Sequence, residues 1–538
     1  MSPKAPGAVT APAGRPAFNP WVVAVAVVIP TFMEVLDTTI ANVALRYIAG
    51  GLSASEVDSE WVITSYLAAN ATILPITGWL SAHFGRRNYF LLSIAVFTVA
   101  SGLCGIATSL EQVILFRAIQ GLAGGGLQPS SQGILLDSFP PEKQGTAQTL
   151  YGVAALLAPE LGPTLGGYLT VNYDWRWIFY INLPVGVLAL VFCYAVVDDP
   201  DSLKKERAEL RKRPRNFDYI GLGLLVLIMS CWEIMLSKGQ QWDWYADPFG
   251  RVQTLFLLFA GGLAALIVRE LRIPNPVVNF RPLAERNLAA CCVIVFCAYG
   301  VLYGSSTSLP ALLQGLYGYD AYVSGLVMSP SGFFSILMMI AVGVLMRKGV
   351  DARWLIACGL VVMATANYWM ALMNIDISPG QVVWPRVLLI CGLSMIFAPL
   401  NASAYRYTPP HLRGAAVGLM SLLRNEGGSV GTSLAQTVVQ RRSQFHTARV
   451  NEFLDPLNPY VETFSEQGRA AFFQQTGDLA ASHEMTIETL SNLRDQQAAS
   501  LSYFDVFWLF GVLAVGLIVL VPLMKRSVVE KGEHIGGE

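Results

Sequence analysis

Long apolar runs separated by short polar joints fill almost the whole chain. Fourteen of them, at residues 21–45, 59–82, 88–109, 111–136, 144–170, 177–198, 217–238, 251–270, 287–313, 321–346, 353–373, 382–406, 412–440 and 503–525, approach or exceed the roughly 20 residues a helix needs to cross a bilayer. A helix satisfies every backbone polar group within its own segment, so the pattern predicts an all-α polytopic membrane protein with fourteen transmembrane helices. The polar stretch DDPDSLKKERAELRKRPRNFD divides the sixth run from the seventh. The expected layout is a flexible tail (1–20), a six-helix bundle (21–198), a charged connector (199–216), two extra helices (217–270), a second six-helix bundle (287–525) and a short tail (526–538). Within the second bundle, 441–502 is a long polar loop on the outer side, helix-prone, with Ile487, Leu490 and Leu493 recurring on one helical face.

Composition agrees with this class: 54% of residues are hydrophobic, 14% are charged and the mean hydropathy is +0.48. A net charge of −1 lacks the basic footprint that nucleic acid demands. Lysine and arginine gather on alternate joints, including Arg86 and Arg87, seven residues in 204–215, and Lys525 and Arg526. The opposite joints hold few, among them Arg46, Arg176 and Lys238, so both termini are expected in the cytoplasm. The stretch MSPKAPGAVTAPAGRPAFNP reads as a tail rather than a signal peptide. All eight cysteines lie in or beside apolar runs and read as small buried hydrophobes.

Charged residues inside the runs carry the chemistry, because an ionised group in hydrocarbon needs a partner or a task. Glu34 and Asp37, in FMEVLDTTIANVAL, are three residues apart and share one side of the first helix. An acid there loses its charge when it takes up a proton, which makes Asp37 a candidate coupling site and Glu34 a second; a hydrogen bond to a neighbouring helix is the plainer reading. Arg117, in LFRAIQGL, stays charged and requires a carboxylate or carbonyl partner. Glu160 adds a third acid facing the expected cavity. Glu426, beside Arg424 and Asn425, is either a coupling or substrate site or half of an Arg–Glu structural pair. Glu233, near the end of an extra helix, is expected to snorkel to the interface.

GWLSAHFGRR after the second run and GVLMRKGVDAR after the tenth echo each other, as duplicated transporter halves would. With LDTTIANVAL, FRAIQGLAGG, APELGPTLGG, WRWIFYINLPVG, LPALLQGLYGY, GLVMSPSG and RNEGGSVGTSL they form an ordered set from Trp21 to Arg526. This set resembles the fourteen-span drug:proton antiporters of the major facilitator superfamily, the EmrB/QacA type. The resemblance implies an antiporter motif at Gly162, Pro163, Gly166 and Gly167, a cytoplasmic loop motif at Gly78, Gly85, Arg86 and Arg87, and a part in proton transfer for Arg117. It departs from the family at Ala82, where an aspartate is usual, so that residue makes no ionic latch. HEMTI at His483 lacks the second histidine of a zinc-protease motif, and no GxxxxGK[ST] loop for ATP exists, which leaves an ion gradient as the energy source and no cofactor. The expected function is proton-coupled efflux of small hydrophobic or amphipathic toxic compounds across a bacterial inner membrane. The resemblance further implies a periplasmic adaptor and an outer-membrane channel as possible partners, with 441–502 either docking the adaptor or capping the transporter. A metabolite importer of the same fold and a non-transporting receptor are the alternatives; the second would bring a signalling domain that the chain lacks.

Overall fold

The computed structural model describes residues 19–139, 141–199, 218–273, 276–374, 378–409, 412–455 and 457–526. Nearly all of the expected tails and of the charged connector lie outside these residues. Those described form α-helices and short 3-10 turns, with no strand among them. The first set is α1 (Pro20–Gly51), α2 (Glu56–Ser59), α3 (Trp61–Ile73), α4 (Thr77–Phe84), α5 (Arg86–Ile106), α6 (Leu110–Gly124), α7 (Leu127–Ser138), α8 (Pro141–Asn172), α9 (Trp177–Tyr180) and α10 (Asn182–Val196). Two helices follow, α11 (Tyr219–Lys238) and α12 (Arg251–Arg272). The second set is α13 (Arg286–Gly315), α14 (Ala321–Met328), α15 (Pro330–Arg347), α16 (Ala352–Ala371), α17 (Pro379–Arg406), α18 (Arg413–Asn451), α19 (Pro459–Thr476) and α20 (Leu479–Ile518).

Every expected apolar run falls on helix, and ten of the helical stretches are long and apolar enough to cross a membrane by composition alone. The other four runs explain themselves physically. Two are broken, α3 from α4 by the 3-10 turn Leu74–Ile76 and α6 from α7 at Gly125 and Gly126. The remaining two, α8 and α18, carry Glu160 with Pro159 and Pro163, and Arg424 with Glu426. Glu160, Arg424 and Glu426 are buried, so these polar groups face protein rather than lipid.

Within the first set α1 packs on α8 and α3 on α6; within the second α13 packs on α18 and α16 on α17 and α20. Both α1·α8 and α13·α18 are glycine-mediated close approaches. A Cβ on Gly162 would lie 2.0 Å from Thr39 Oγ1, and one on Gly431 2.0 Å from the Gly300 carbonyl oxygen. The sets meet along two seams: α8 against α14, α15 and α17, and α4, α7 and the 3-10 turn against α18. Helix α12 packs mainly on α11, whereas α11 also touches α3 and α18.

The echoed loop motifs share a backbone feature. Gly85 ends α4 at φ 90° and Gly349 follows α15 at φ 86°, a positive φ that glycine reaches without a Cβ clash. The segment 441–502 is not an irregular loop. It consists of the end of α18, α19 and the start of α20, interrupted around 452–458 and 477–478, and these helices pack on one another. Ile487 and Leu493 are exposed there and Leu490 is half-buried, while Ser482, Thr486 and Ala498 face inward.

Candidate functional site

Asp37 sits midway along α1 with no solvent exposure. Arg117 Nη1, from α6, donates to its Oδ2 at 2.5 Å; Gln120 Nε2 and Asn182 Nδ2 donate to Oδ1 at 3.0 and 2.6 Å. Arg117 also donates from Nε to the Val62 carbonyl at 3.3 Å and lies 4.2 Å from the centre of the Tyr66 ring. The helical spacing explains the arrangement: Gln120 is one turn beyond Arg117, and Arg117 Nη1 donates to its Oε1 at 2.9 Å. A buried charge pair endures only when hydrogen bonds satisfy the atoms around it, and here both Asp37 oxygens accept while Arg117 donates from Nε and Nη1.

Glu34, one turn earlier on α1, belongs to a different network. It accepts from Tyr66 Oη at 3.1 Å, Asn70 Nδ2 at 3.3 Å and Gln128 Nε2 at 2.7 Å. Gln128 Oε1 in turn accepts from Arg424 Nη2 at 2.9 Å, and Asn70 Oδ1 from Asn425 Nδ2 at 3.1 Å. Two adjacent residues of α18 therefore reach the Glu34 cluster across the boundary between the helix sets.

Glu160 on α8 makes the second crossing. Arg386 on α17 donates to it from Nη2 at 2.5 Å and from Nε at 3.3 Å, Ser331 Oγ donates at 2.5 Å, and Arg386 Nη1 donates to Ser306 Oγ at 2.8 Å. One turn further along α8, Thr164 and Ser329 hydroxyls are 2.6 Å apart, and after another turn the Tyr168 and Tyr322 rings are 6.0 Å apart. The residues at 160, 164 and 168 thus form a seam along one face of α8. With the α18 seam also closed, the central pocket lined by Gln132, Tyr299, Asn401, Tyr405 and Arg424 encloses only about 10 Å³ for water-sized guests. That is room for one water.

The sequence profile of the Major Facilitator Superfamily matches residues 27–432. The chain belongs to that superfamily. It is 35% identical over 499 residues to the multidrug export protein EmrB of Haemophilus influenzae, covering 92% of this chain and 94% of that one. It is 34% identical over 498 residues to the fatty acid resistance protein FarB of Neisseria gonorrhoeae, with 92% and 94% covered. Among solved structures it resembles the human organic anion transporter MFSD10, at TM-score 0.56 and 14% identity, over 92% of this chain and 99% of that one; this likeness concerns the fold. A facilitator-superfamily chain with these relatives is a multi-pass membrane protein and a secondary transporter, not an enzyme.

Measured against this family frame, the antiporter-motif residues lie where α8 meets α1. Gly162 faces Thr39 and Gly166 faces Ile40, while Pro163 and Gly167 are buried in the same helix. In the loop motif, Gly78 approaches Gly414 across the α18 seam and Arg86 pairs with Asp137 and with the Gly133 carbonyl near the end of α7. Arg87 donates to the Tyr194 carbonyl at 2.8 Å, and its backbone N–H donates to Asp199 at 2.8 Å. Arg424, beside Glu426 in the chain, is directed to Gln128 and Ser421. One expectation changes. Glu233 does not snorkel: it is 1% exposed and accepts from Ser429 Oγ at 3.0 Å, because α18 covers it. Sequence reasoning missed Arg386, although a lone arginine in VVWPRVLLI carries the same signal as Arg117. Gln120, Gln128 and Asn182 carry no signal of their own; only their positions around the acids reveal them.

Proposed function

We propose that this protein is a proton-driven exporter of small hydrophobic or amphipathic toxic compounds, with no cofactor beyond the proton gradient. The observation that carries the reading is Asp37, a fully buried carboxylate held by Arg117, Gln120 and Asn182 in the middle of α1. The export proteins named above support the substrate class, and the loss of charge when Asp37 is protonated supplies the coupling. Proton uptake weakens the tie to Arg117 and lets α1 and α6 shift; proton release on the other side restores the tie. Glu34, joined through Gln128 to Arg424, passes that shift to the second helix set. In the alternating-access cycle the two sets rock about the pocket between them, opening one seam at a time.

The decisive experiment is dye export in proteoliposomes under an imposed pH gradient. Asp37→Asn keeps the shape and most hydrogen bonds but does not titrate, and is expected to abolish gradient-driven flux while leaving insertion and folding intact. Unchanged flux in this variant sinks the reading.

The protein is placed in a bacterial inner membrane with both termini cytoplasmic, which sets 441–502 on the outer side. Phe453 and Leu457, in the turn before α19, and Tyr460 and Leu479, at the helix starts, are exposed, and such apolar groups on a polar projection suit a partner protein. A periplasmic adaptor leading to an outer-membrane channel fits this place. Replacing 450–495 by a short linker is expected to abolish adaptor co-purification and spare transport in vesicles; loss of vesicle transport instead identifies the segment as a cap.

A further inference from the structure

Glu426 on α18 and Glu233 on α11 are both almost wholly buried, at 6% and 1% exposure. Their carboxyl groups lie against each other and beside the Trp232 indole. Ser429 Oγ donates to Glu233 Oε1 at 3.0 Å, but neither oxygen of Glu426 nor Oε2 of Glu233 receives a well-formed hydrogen bond. One turn along, Ser433 Oγ donates to the Leu236 carbonyl at 2.7 Å, so the two helices are stitched together at this level.

Among the described residues, no lysine or arginine acts on either acid. The cations nearest in sequence are committed elsewhere: Arg424 to Gln128 and Ser421, and Lys238 to Glu60 at 2.9 Å. On α3, which packs against both helices, Thr64 is bonded to Ser237 and Asn70 to Glu34 and Asn425. Two carboxylates in contact, out of water and without a counter-charge, do not both stay ionised.

We propose that Glu233 and Glu426 hold a proton between them as a second proton site, which makes the extra helix α11 part of the coupling device. One carboxyl donates its O–H to the other, and this bond engages two of the three orphaned oxygens. The site is adjacent along the chain to the residues that reach the Glu34 network: Arg424 and Asn425 reach that cluster from one side of α18, and Glu426 faces α11 from the other. A proton arriving at or leaving the pair loosens or tightens α11 on α18 and turns the residues that touch Glu34. The transport consequence rests on the proton-driven reading above; the existence of the site does not.

Infrared spectroscopy of the purified full chain in lipid nanodiscs tests the site directly. At neutral pH the wild type is expected to show a protonated-carboxyl stretch, sensitive to deuteration, that is lost in the Glu233→Gln/Glu426→Gln double variant. Identical spectra, or a wild-type band that appears only when sodium and potassium are replaced by choline, overturn the proposal, the second because a metal cation then holds the pair. A pH titration of the wild-type band alone decides the matter if the variant does not fold: no band at any pH above that of ordinary carboxylates overturns it. In proteoliposomes the double variant is expected to move one proton fewer per dye molecule. An unchanged ratio overturns the coupling role, whereas a wild type indifferent to the pH gradient overturns the export reading and leaves the infrared result standing.

Discussion

Two buried arginine–carboxylate pairs of equal length, Arg117–Asp37 and Arg386–Glu160, both at 2.5 Å, do different work because of where their partners sit. Every side chain around Asp37 comes from the first helix set, with Arg117 and Gln120 on α6 and Asn182 on α10. Glu160, in contrast, is on the first set, and Arg386 and Ser331 are on the second. A pair inside one set keeps its partners when the two sets move relative to each other. A pair across the sets must open whenever its seam opens, so it biases which conformation is occupied.

The contrast can be broken most forcefully at Arg117. Arg117→Ala strands Asp37 among neutral donors and is expected to lower unfolding stability by about 3–5 kcal/mol, with loss of export; denaturation in detergent measures the first. Arg117→Lys keeps the charge but not the fork that reaches both Asp37 and the Val62 carbonyl, so stability and flux should fall between those of wild type and alanine. Full export by a well-expressed Arg117→Ala protein would show that the pair is dispensable.

At Glu160 the expected effect is conformational first. Glu160→Gln should widen the distance between spin labels placed at 168 and 322, whose rings are 6.0 Å apart, while Arg117→Lys leaves that distance unchanged. A double-mutant cycle on Glu160→Ala and Arg386→Ala should give a coupling energy of about 1–3 kcal/mol. Additive effects would mean that the pair is no latch.

Glycines sharpen the same distinction with less energy. Gly431→Ala places a Cβ 2.0 Å from the Gly300 carbonyl oxygen inside the second set and should reduce stability by about 1–3 kcal/mol without altering the 168–322 distance. Gly325→Ala places one 2.5 Å from Thr164 Cα across the seam and should increase that distance. The smallest effect is expected for Gly85→Ala and Gly349→Ala, each about 1 kcal/mol from a positive-φ backbone that alanine resists, with similar values at the two positions. A large inequality would show that the repeated motif has lost its common role.

The sequence by itself determined the helical architecture, because run length against bilayer thickness and the cost of unpaired backbone in lipid leave few alternatives. It also marked Glu34, Asp37, Arg117, Glu160 and Glu426 as exceptional, since each is a charge where hydrocarbon permits few. Partnership was not legible there. Asp37 meets Arg117 eighty residues on, and Glu160 meets Arg386 after 226, separations at which local spacing says nothing. Glu233 read as a snorkelling residue because α11 alone looks lipid-facing at that level; the packing of α18 over it turned an interfacial acid into a buried one beside Glu426. Helical periodicity fixes which residues share a face, and only the tertiary structure decides what that face meets.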